Sequence, residues 1–277
     1  MPKYKVNTIK HSVDSACNSG YDSGYESDGG TEYSPVTHLG AGEYAKARLF
    51  KATSNKTVAV LNPVDVPGDL DEARIKHRFF QTIYPTQRSH LFIIETDYRL
   101  VVPYIEYVSY QKLTVDTPEL QKTIFLSAIE ALKYAHDKNI IVLDLKIDNI
   151  YYDSSTKKSY LIDGGFSVLT GEPIDPAVFQ KPSKKIVEEC KKDYTQIAPE
   201  CWSITPIAVL ATPKMDVYCL GRLMKRTIDN PISEIQSLID SCLEQDPEKR
   251  PTLVALINSL KSIIYTGICP NSSVRQA

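Results

Sequence analysis

Two short acidic centres constrain this chain more than any other feature. Residues 141–150 read I-V-L-D-L-K-I-D-N-I, and residues 160–167 read Y-L-I-D-G-G-F-S. Asp144 and Asp163 stand 163 − 144 = 19 positions apart, each after a short apolar run. Lys146 and Asn149 follow the first centre at fixed offsets. The fold must therefore bring two strand-like runs to one place and turn the chain sharply after each. Residues of these types suit magnesium-dependent phosphoryl transfer. One carboxylate orients a hydroxyl, a lysine offsets phosphate charge, and an amide with the second carboxylate holds metal. The plainer reading is that Asp-Asn pairs flank hairpin turns in any α+β domain, and a short motif needs its context.

The context is a chain that changes character along its length. Residues 1–34 include a stretch rich in Ser, Gly and acid and nearly empty of aliphatics, which cannot bury enough apolar surface to offset its ordering entropy. This is expected to be a disordered tail. From Val36 the pattern turns strand-like: 38–52 and 57–61 alternate around Gly40 and Gly42, and 91–95 pairs with 100–104. Between them, 70–84 has helical periodicity, with Asp69 or Asp71 as candidate cap. After Val108 helices dominate. Residues 117–137 form the strongest candidate: Pro118 suits a first turn, and Leu120, Ile124, Ile129, Leu132 and Ala135 share a face. A polar stretch from Thr170 to Thr195 precedes helices near 214–226, 232–243 and 253–265. Strands first and helices after predict an α+β, two-lobed architecture. The boundaries are 35–105 for a β-rich lobe with its hinge, 106–268 for a helical lobe, and 269–277 for a C-terminal tail.

Composition narrows the function. A net charge of −2 and the lack of a basic stripe interleaved with aromatics give no reason to expect nucleic acid. No run approaches a membrane span, and the N-terminus lacks a signal peptide's apolar core. The six cysteines are scattered without C-x-x-C pairs, so neither zinc nor a disulfide framework is signalled. Reduced thiols in a cytoplasmic setting are the expectation.

Taken in order, the motifs resemble those of the eukaryotic-type protein kinase superfamily over roughly Val36 to Ile264. H-L-G-A-G-E-Y-A-K-A (38–47) resembles a glycine-rich loop, with Ala45 where a third glycine is usual. V-V-P-Y-I-E (101–106) resembles the hinge. D-L-K-I-D-N resembles the catalytic loop, D-G-G a variant of D-F-G, and A-P-E stands at 198–200. M-D-V-Y-C-L-G (215–221) and D-P-E-K-R-P-T (246–252) complete the series. The resemblance implies a small β-rich lobe over a helical one, ATP and Mg2+ as cofactors, and a protein substrate phosphorylated on serine or threonine. It implies Asp144 and Lys146 as catalytic residues and Asn149 and Asp163 as metal ligands. Gly40, Gly42, Ala59, Glu72, Val102 (the gatekeeper), Pro103 and Ile105 would line the nucleotide. Glu200 would pair with Arg250, and Asp216 would brace the catalytic loop.

The departures from the family bear on activity. Where V-A-I-K carries the lysine that holds the phosphates, this chain reads Val58-Ala59-Val60-Leu61. One rescue is a cation from the glycine-rich region, as in the with-no-lysine kinases. Lys46 is the candidate and Lys51 a weaker one, although strand alternation can turn Lys46 outward. Otherwise the site works poorly or only binds nucleotide. Glu72 is the expected helix glutamate, or else a solvated acid at a helix start. Val142 and Leu143 replace the His-Arg pair, so activation by a phosphorylated segment loses its usual partner. Gly164 replaces the D-F-G phenylalanine. From Asp216 to Arg250 there are only 250 − 216 = 34 positions, which implies a trimmed docking helix.

Three readings stay open at this point. The first is a divergent serine/threonine kinase. The second is a pseudokinase module, and the third transfers another group such as AMP or glutamate. In the tail, D-S-G-Y-E-S (22–27) resembles a phosphodegron read by an F-box ubiquitin ligase, with Ser23 and Ser27 as the modified residues. Two phosphates in a flexible acidic segment can dock clustered arginines. A chance match in Ser/Gly-rich sequence is the alternative, and Tyr21, Tyr25 and Tyr33 could be phosphotyrosines. A compact chain of this kind resembles a bacterial effector or a viral product, which would place it in host cytosol.

Overall fold

The computed structural model describes residues 25–27, 31–41, 45–52, 57–63, 70–86, 89–94, 97–104, 108–181, 183–204 and 207–263. Strands β1 (Tyr25–Ser27), β2 (Thr31–Ala41), β3 (Ala45–Ala52) and β4 (Thr57–Pro63) come first. Helix α1 (Leu70–Ile83) and strands β5 (His90–Ile94) and β6 (Asp97–Pro103) follow. All neighbouring strands pair antiparallel in the order β1-β2-β3-β4-β6-β5. The alternation of side chains along β4 decides which residues face the site. Val58 and Val60 join Phe50 and Val101 in a small core on one face. Ala59 and Leu61 turn to the other face and pack with Leu100 and Val102 in the main core. Helix α1 closes that face, burying Ala73, Phe79, Phe80 and Ile83.

The second half is helical. Strand β7 (Val108–Ser109), α2 (Pro118–Asp137) and the short strands β8 (Ile140–Ile141), β9 (Ile150–Asp153), β10 (Lys158–Leu161) and β11 (Val168–Leu169) lead into the remaining helices. These are α3 (Pro176–Phe179), α4 (Lys184–Asp193), α5 (Pro213–Thr227), α6 (Ser233–Cys242) and α7 (Leu253–Ser262). The Thr117 hydroxyl accepts a hydrogen bond from the Leu120 N–H and caps α2, with Pro118 in the first turn. Its Ile124, Phe125, Ala128, Ile129 and Leu132 are fully buried, each large one stabilising by about 1.5–3 kcal/mol. Helix α5 is buried on most sides, as a helix at the centre of a lobe must be. Only α6 and a 3-10 turn (Pro247–Lys249) separate α5 from Arg250. The result is a two-lobed α+β protein kinase fold, a β-rich lobe followed by a helical one.

Two elements depart from the sequence reading. Residues 1–34 are expected to be a disordered tail, yet Tyr25–Ser27 and Thr31 onwards are strands, with Tyr25 opposite Tyr33 and Ser27 opposite Thr31. A segment too poor in apolar residues to fold alone can still order by adding backbone hydrogen bonds to an existing sheet. Here β2 is anchored on β3 through Tyr33 opposite Ala52, and Tyr and Thr favour strands. The second departure is α4, inside the stretch read only as polar. The Ser183 hydroxyl accepts from the Ile186 N–H to cap it, and just Val187 and Cys190 are buried.

Candidate active site

Strand pairing gathers the two acidic centres. β8 pairs with β11 and β9 with β10, so the loop 142–149 and the turn 162–167 leave the small sheets together. The Ile162 N–H donates to the Asn149 carbonyl at 3.0 Å, stitching one to the other. Leu143 is held at φ 65°, a left-handed conformation that costs about 1–2 kcal/mol for a side chain with a Cβ. Asp216 holds it there: its carboxylate accepts from the Val142 and Leu143 N–H groups at 2.8 and 2.7 Å. His136 Nε2 lies 2.9 Å from the same carboxylate. Those partners also satisfy a carboxylate with no exposure at all.

Asp144 is buried at the centre. Lys146 Nζ lies 2.6 Å from Oδ2, and Asn149 Nδ2 donates to Oδ2 at 3.2 Å and to the Asp144 carbonyl at 3.0 Å. Gln196 Nε2 donates to Oδ1 at 3.3 Å. Burial pushes the Asp144 carboxyl above the usual range; Lys146 pulls against that, and the charge of Asp163 adds to it. Asp163 Oδ1 accepts from the Gly165 N–H at 2.9 Å.

Helix α1 supplies the other wall. Glu72, in its first turn, pairs with Lys76 at 2.6 Å, and Lys76 Nζ also stands 3.7 Å from Asp163 Oδ1. Burial works to lower the Lys76 pKa, but Asp163 and Glu72 outweigh it and hold the ammonium above its ordinary range. The two glycines after Asp163 permit this approach. A Cβ on Gly165 would fall 2.9 Å from Lys76 Cε, and a Cβ on Gly164 would fall 2.2 Å from Phe79 Cγ. Nothing in the sequence reading singles out Lys76 or Phe79. The available signal was the four-residue step from Glu72 to Lys76, the spacing of an intrahelical ion pair.

The other expected residues are placed as follows. Ala59 and Val102 are opposite each other in the β4–β6 ladder and both buried, and Pro103 ends β6 opposite Val58. In β2, Gly40 pairs with Ala47; in β3, Lys46 pairs with Asn62 while Ala47 pairs with Leu61. Lys51 is exposed. Gly42, Ile105 and Ser23 lie outside the described residues, and Ser27 is described as part of β1. Away from the site, Arg250 donates to both oxygens of Glu200 and to the carbonyls of Lys214, Glu244 and Gln245.

Among the described residues no group of three or more His, Cys, Asp or Glu side chains is set to hold a metal. The Asn149 carboxamide and Asp163 carboxylate nevertheless fit magnesium, which takes hard oxygen ligands. It is usually held by one or two side chains plus phosphates and water.

A β-rich lobe, a helical lobe and this arrangement of acids between them define the protein kinase fold class, and sequence comparison points the same way. The chain is 30% identical to serine/threonine-protein kinase D of Synechocystis sp. over 271 residues, covering 86% of this chain and 53% of that protein. It is 26% identical over 147 residues to the membrane-associated tyrosine- and threonine-specific cdc2-inhibitory kinase of Drosophila melanogaster, covering 50% of this chain and 28% of the relative. A protein of Acanthamoeba polyphaga mimivirus named for a serine/threonine-protein kinase is 26% identical, with 61% of this chain and 70% of that one aligned. The chain thus spans about a half and about a quarter of the first two relatives' length. No family model matches the chain. These similarities support a relationship to the protein kinase superfamily at low identity.

Proposed function

We propose that this chain is a divergent serine/threonine protein kinase, moving the γ-phosphate of ATP to protein hydroxyls. The observation that carries the reading is the buried Asp144 with Lys146 and Asn149 closed around it, beside Asp163. In this reading Asp144 Oδ1 receives the hydrogen bond of the substrate hydroxyl and orients its oxygen. Lys146 offsets part of the cost of burying the Asp144 carboxylate and offers its ammonium to the phosphoryl oxygens. Asn149 and Asp163 hold magnesium, which neutralises phosphate charge when bound. In this reading Ala59, Val102 and Pro103 border the adenine side, and the resemblance assigns Gly40, Gly42 and Ile105 to the same role. The relatives named as serine/threonine kinases favour that substrate class.

Labelled γ-phosphate transfer to a mixed protein substrate should disappear in Asp144→Ala, a loss of at least a thousandfold. Equal labelling by the variant and the wild type would sink the reading. A second reading, a nucleotide-binding module without turnover, is favoured by one contact: Gln196 occupies the Asp144 oxygen that a substrate hydroxyl needs. ATP binding by the wild type with no detectable transfer selects that reading. Recruitment of an F-box ligase through phosphorylated Ser23 and Ser27 belongs to either. A doubly phosphorylated peptide of residues 18–30 that binds no such subunit removes it.

A further inference from the structure

The site described above leaves one requirement of phosphoryl transfer unmet: no lysine projects from β4 toward the phosphates. Leu61 stands there, packed partly buried against the main core. The structure brings a different ammonium to Glu72 and Asp163. Lys76 lies between Glu72 of its own helix and Asp163, and its side chain is only 12% exposed. A four-residue Glu-Lys pair on a helix normally lies in solvent, where it contributes a few tenths of a kcal/mol and needs no third partner. Here the pair is turned inward. Burying an ammonium is costly unless it is paired, and the geometry meets that cost with one carboxylate from the helix and one from the D-G-G turn.

Two absent side chains leave room for this face of α1. Any Cβ at position 165 would press on Lys76 Cε, and any Cβ at 164 would overlap the ring of Phe79, one turn further along α1. The Phe79 ring is fully buried and in edge contact with Phe80. Helix α1 therefore fills, from its own face, both places left open nearby: the ammonium missing from β4 and the aromatic ring missing after Asp163. Leu61, Gly164 and the Lys76–Phe79 face of α1 thus fit together as one arrangement.

We propose that Lys76 is the cation that meets the nucleotide phosphates in this chain, in place of a lysine at position 61. The proposal rests on the kinase reading above, since it needs a nucleotide in the cleft. Lys76 then works as a point charge toward two partners, Asp163 on one side and phosphate oxygens on the other. Glu72 keeps it aimed into the cleft.

The test compares binding of magnesium-ATP and of adenosine to the full chain by titration calorimetry. Lys76→Met should weaken ATP at least tenfold and leave adenosine within twofold. Adding Leu61→Lys to that variant should recover most of the loss. An ATP-to-adenosine affinity ratio unchanged by Lys76→Met overturns the proposal while leaving the kinase reading standing. A wild type that binds adenosine and ATP equally, or neither, overturns both.

Should Lys76→Met fail to fold, the wild type itself can be probed with an acyl-phosphate derivative of ATP. The lysine amine attacks the acyl carbon, an amide bond forms, the carbon–oxygen bond to phosphate breaks, and ATP leaves as the amine proton passes to solvent. An adduct on Lys76, competed by ATP, supports the proposal. Adducts on Lys46 or Lys146 with none on Lys76 overturn it.

Discussion

At the scale of single residues, two positions have consequences that run against ordinary expectation. Asp144 is held above the usual carboxylate range chiefly by burial. A carboxyl whose pKa is raised by folding keeps its proton more tightly in the folded state. Its contribution is therefore favourable at low pH and is lost as pH rises through the raised value. Removing the charge should then help the fold at neutral pH, so Asp144→Asn is expected to melt higher than the wild type at pH 7.5. The gain should shrink as the pH is lowered; a constant difference in thermal melts across pH would refute this account. The second position is Gly164. Because a Cβ there would overlap Phe79, Gly164→Ala should cost about 1–3 kcal/mol, the range for an overfilled core. Phe79→Ala alone should cost about 3–5 kcal/mol, and the double variant should cost less than the two changes summed. Urea denaturation of the two single variants and the double would show this as a coupling well above the additive limit.

At the scale of elements, the ion pair of Glu200 and Arg250 ties the loop before α5 to the turn before α7. Arg250 places its guanidinium N–H groups on Glu200 and three backbone carbonyls, and its side chain is fully buried. Truncation leaves the half-buried Glu200 carboxylate and three carbonyls without their donor. Arg250→Ala should therefore cost about 3–5 kcal/mol, as removing one partner of a buried pair does. Arg250→Lys should rescue little, since one ammonium cannot reproduce the fork; equilibrium unfolding measures both.

What the sequence shows of these elements follows from how each is stabilised. Helix α2 is legible because its cap, its proline and its apolar stripe all lie within twenty consecutive residues. The acidic centres are legible because loop chemistry needs particular residue types at short spacing. Helix α4 escapes because two buried residues make no stripe, and β1 escapes because its partner is a backbone rather than a core. Lys76 and Phe79 escape for a further reason. Their role is set by the approach of α1 to a turn far along the chain, and the only local trace of that approach is a pair of glycines.

At the scale of the whole molecule, four thiols report how tightly the helical lobe is closed. Cys190, Cys201, Cys219 and Cys242 are buried, and burial pushes the Cys242 thiol up to about 12 and raises those of Cys201 and Cys219 as well. A thiol in that state is a poor nucleophile. Alkylation at pH 8 should thus proceed at these positions only through opening of the lobe, at rates that rise steeply near the unfolding transition. Fast labelling of any of the four under native conditions would contradict the packing.

The lobes themselves meet through α1. Glu72 and Lys76 sit one turn apart on a single rigid helix, so no displacement of that helix can part them. What a displacement changes is the distance of acid, ammonium and phenyl ring from the D-G-G turn, all by the same movement. A shift of α1 away from that turn would therefore take the Lys76 ammonium from Asp163 and the Phe79 ring from Gly164 in a single movement.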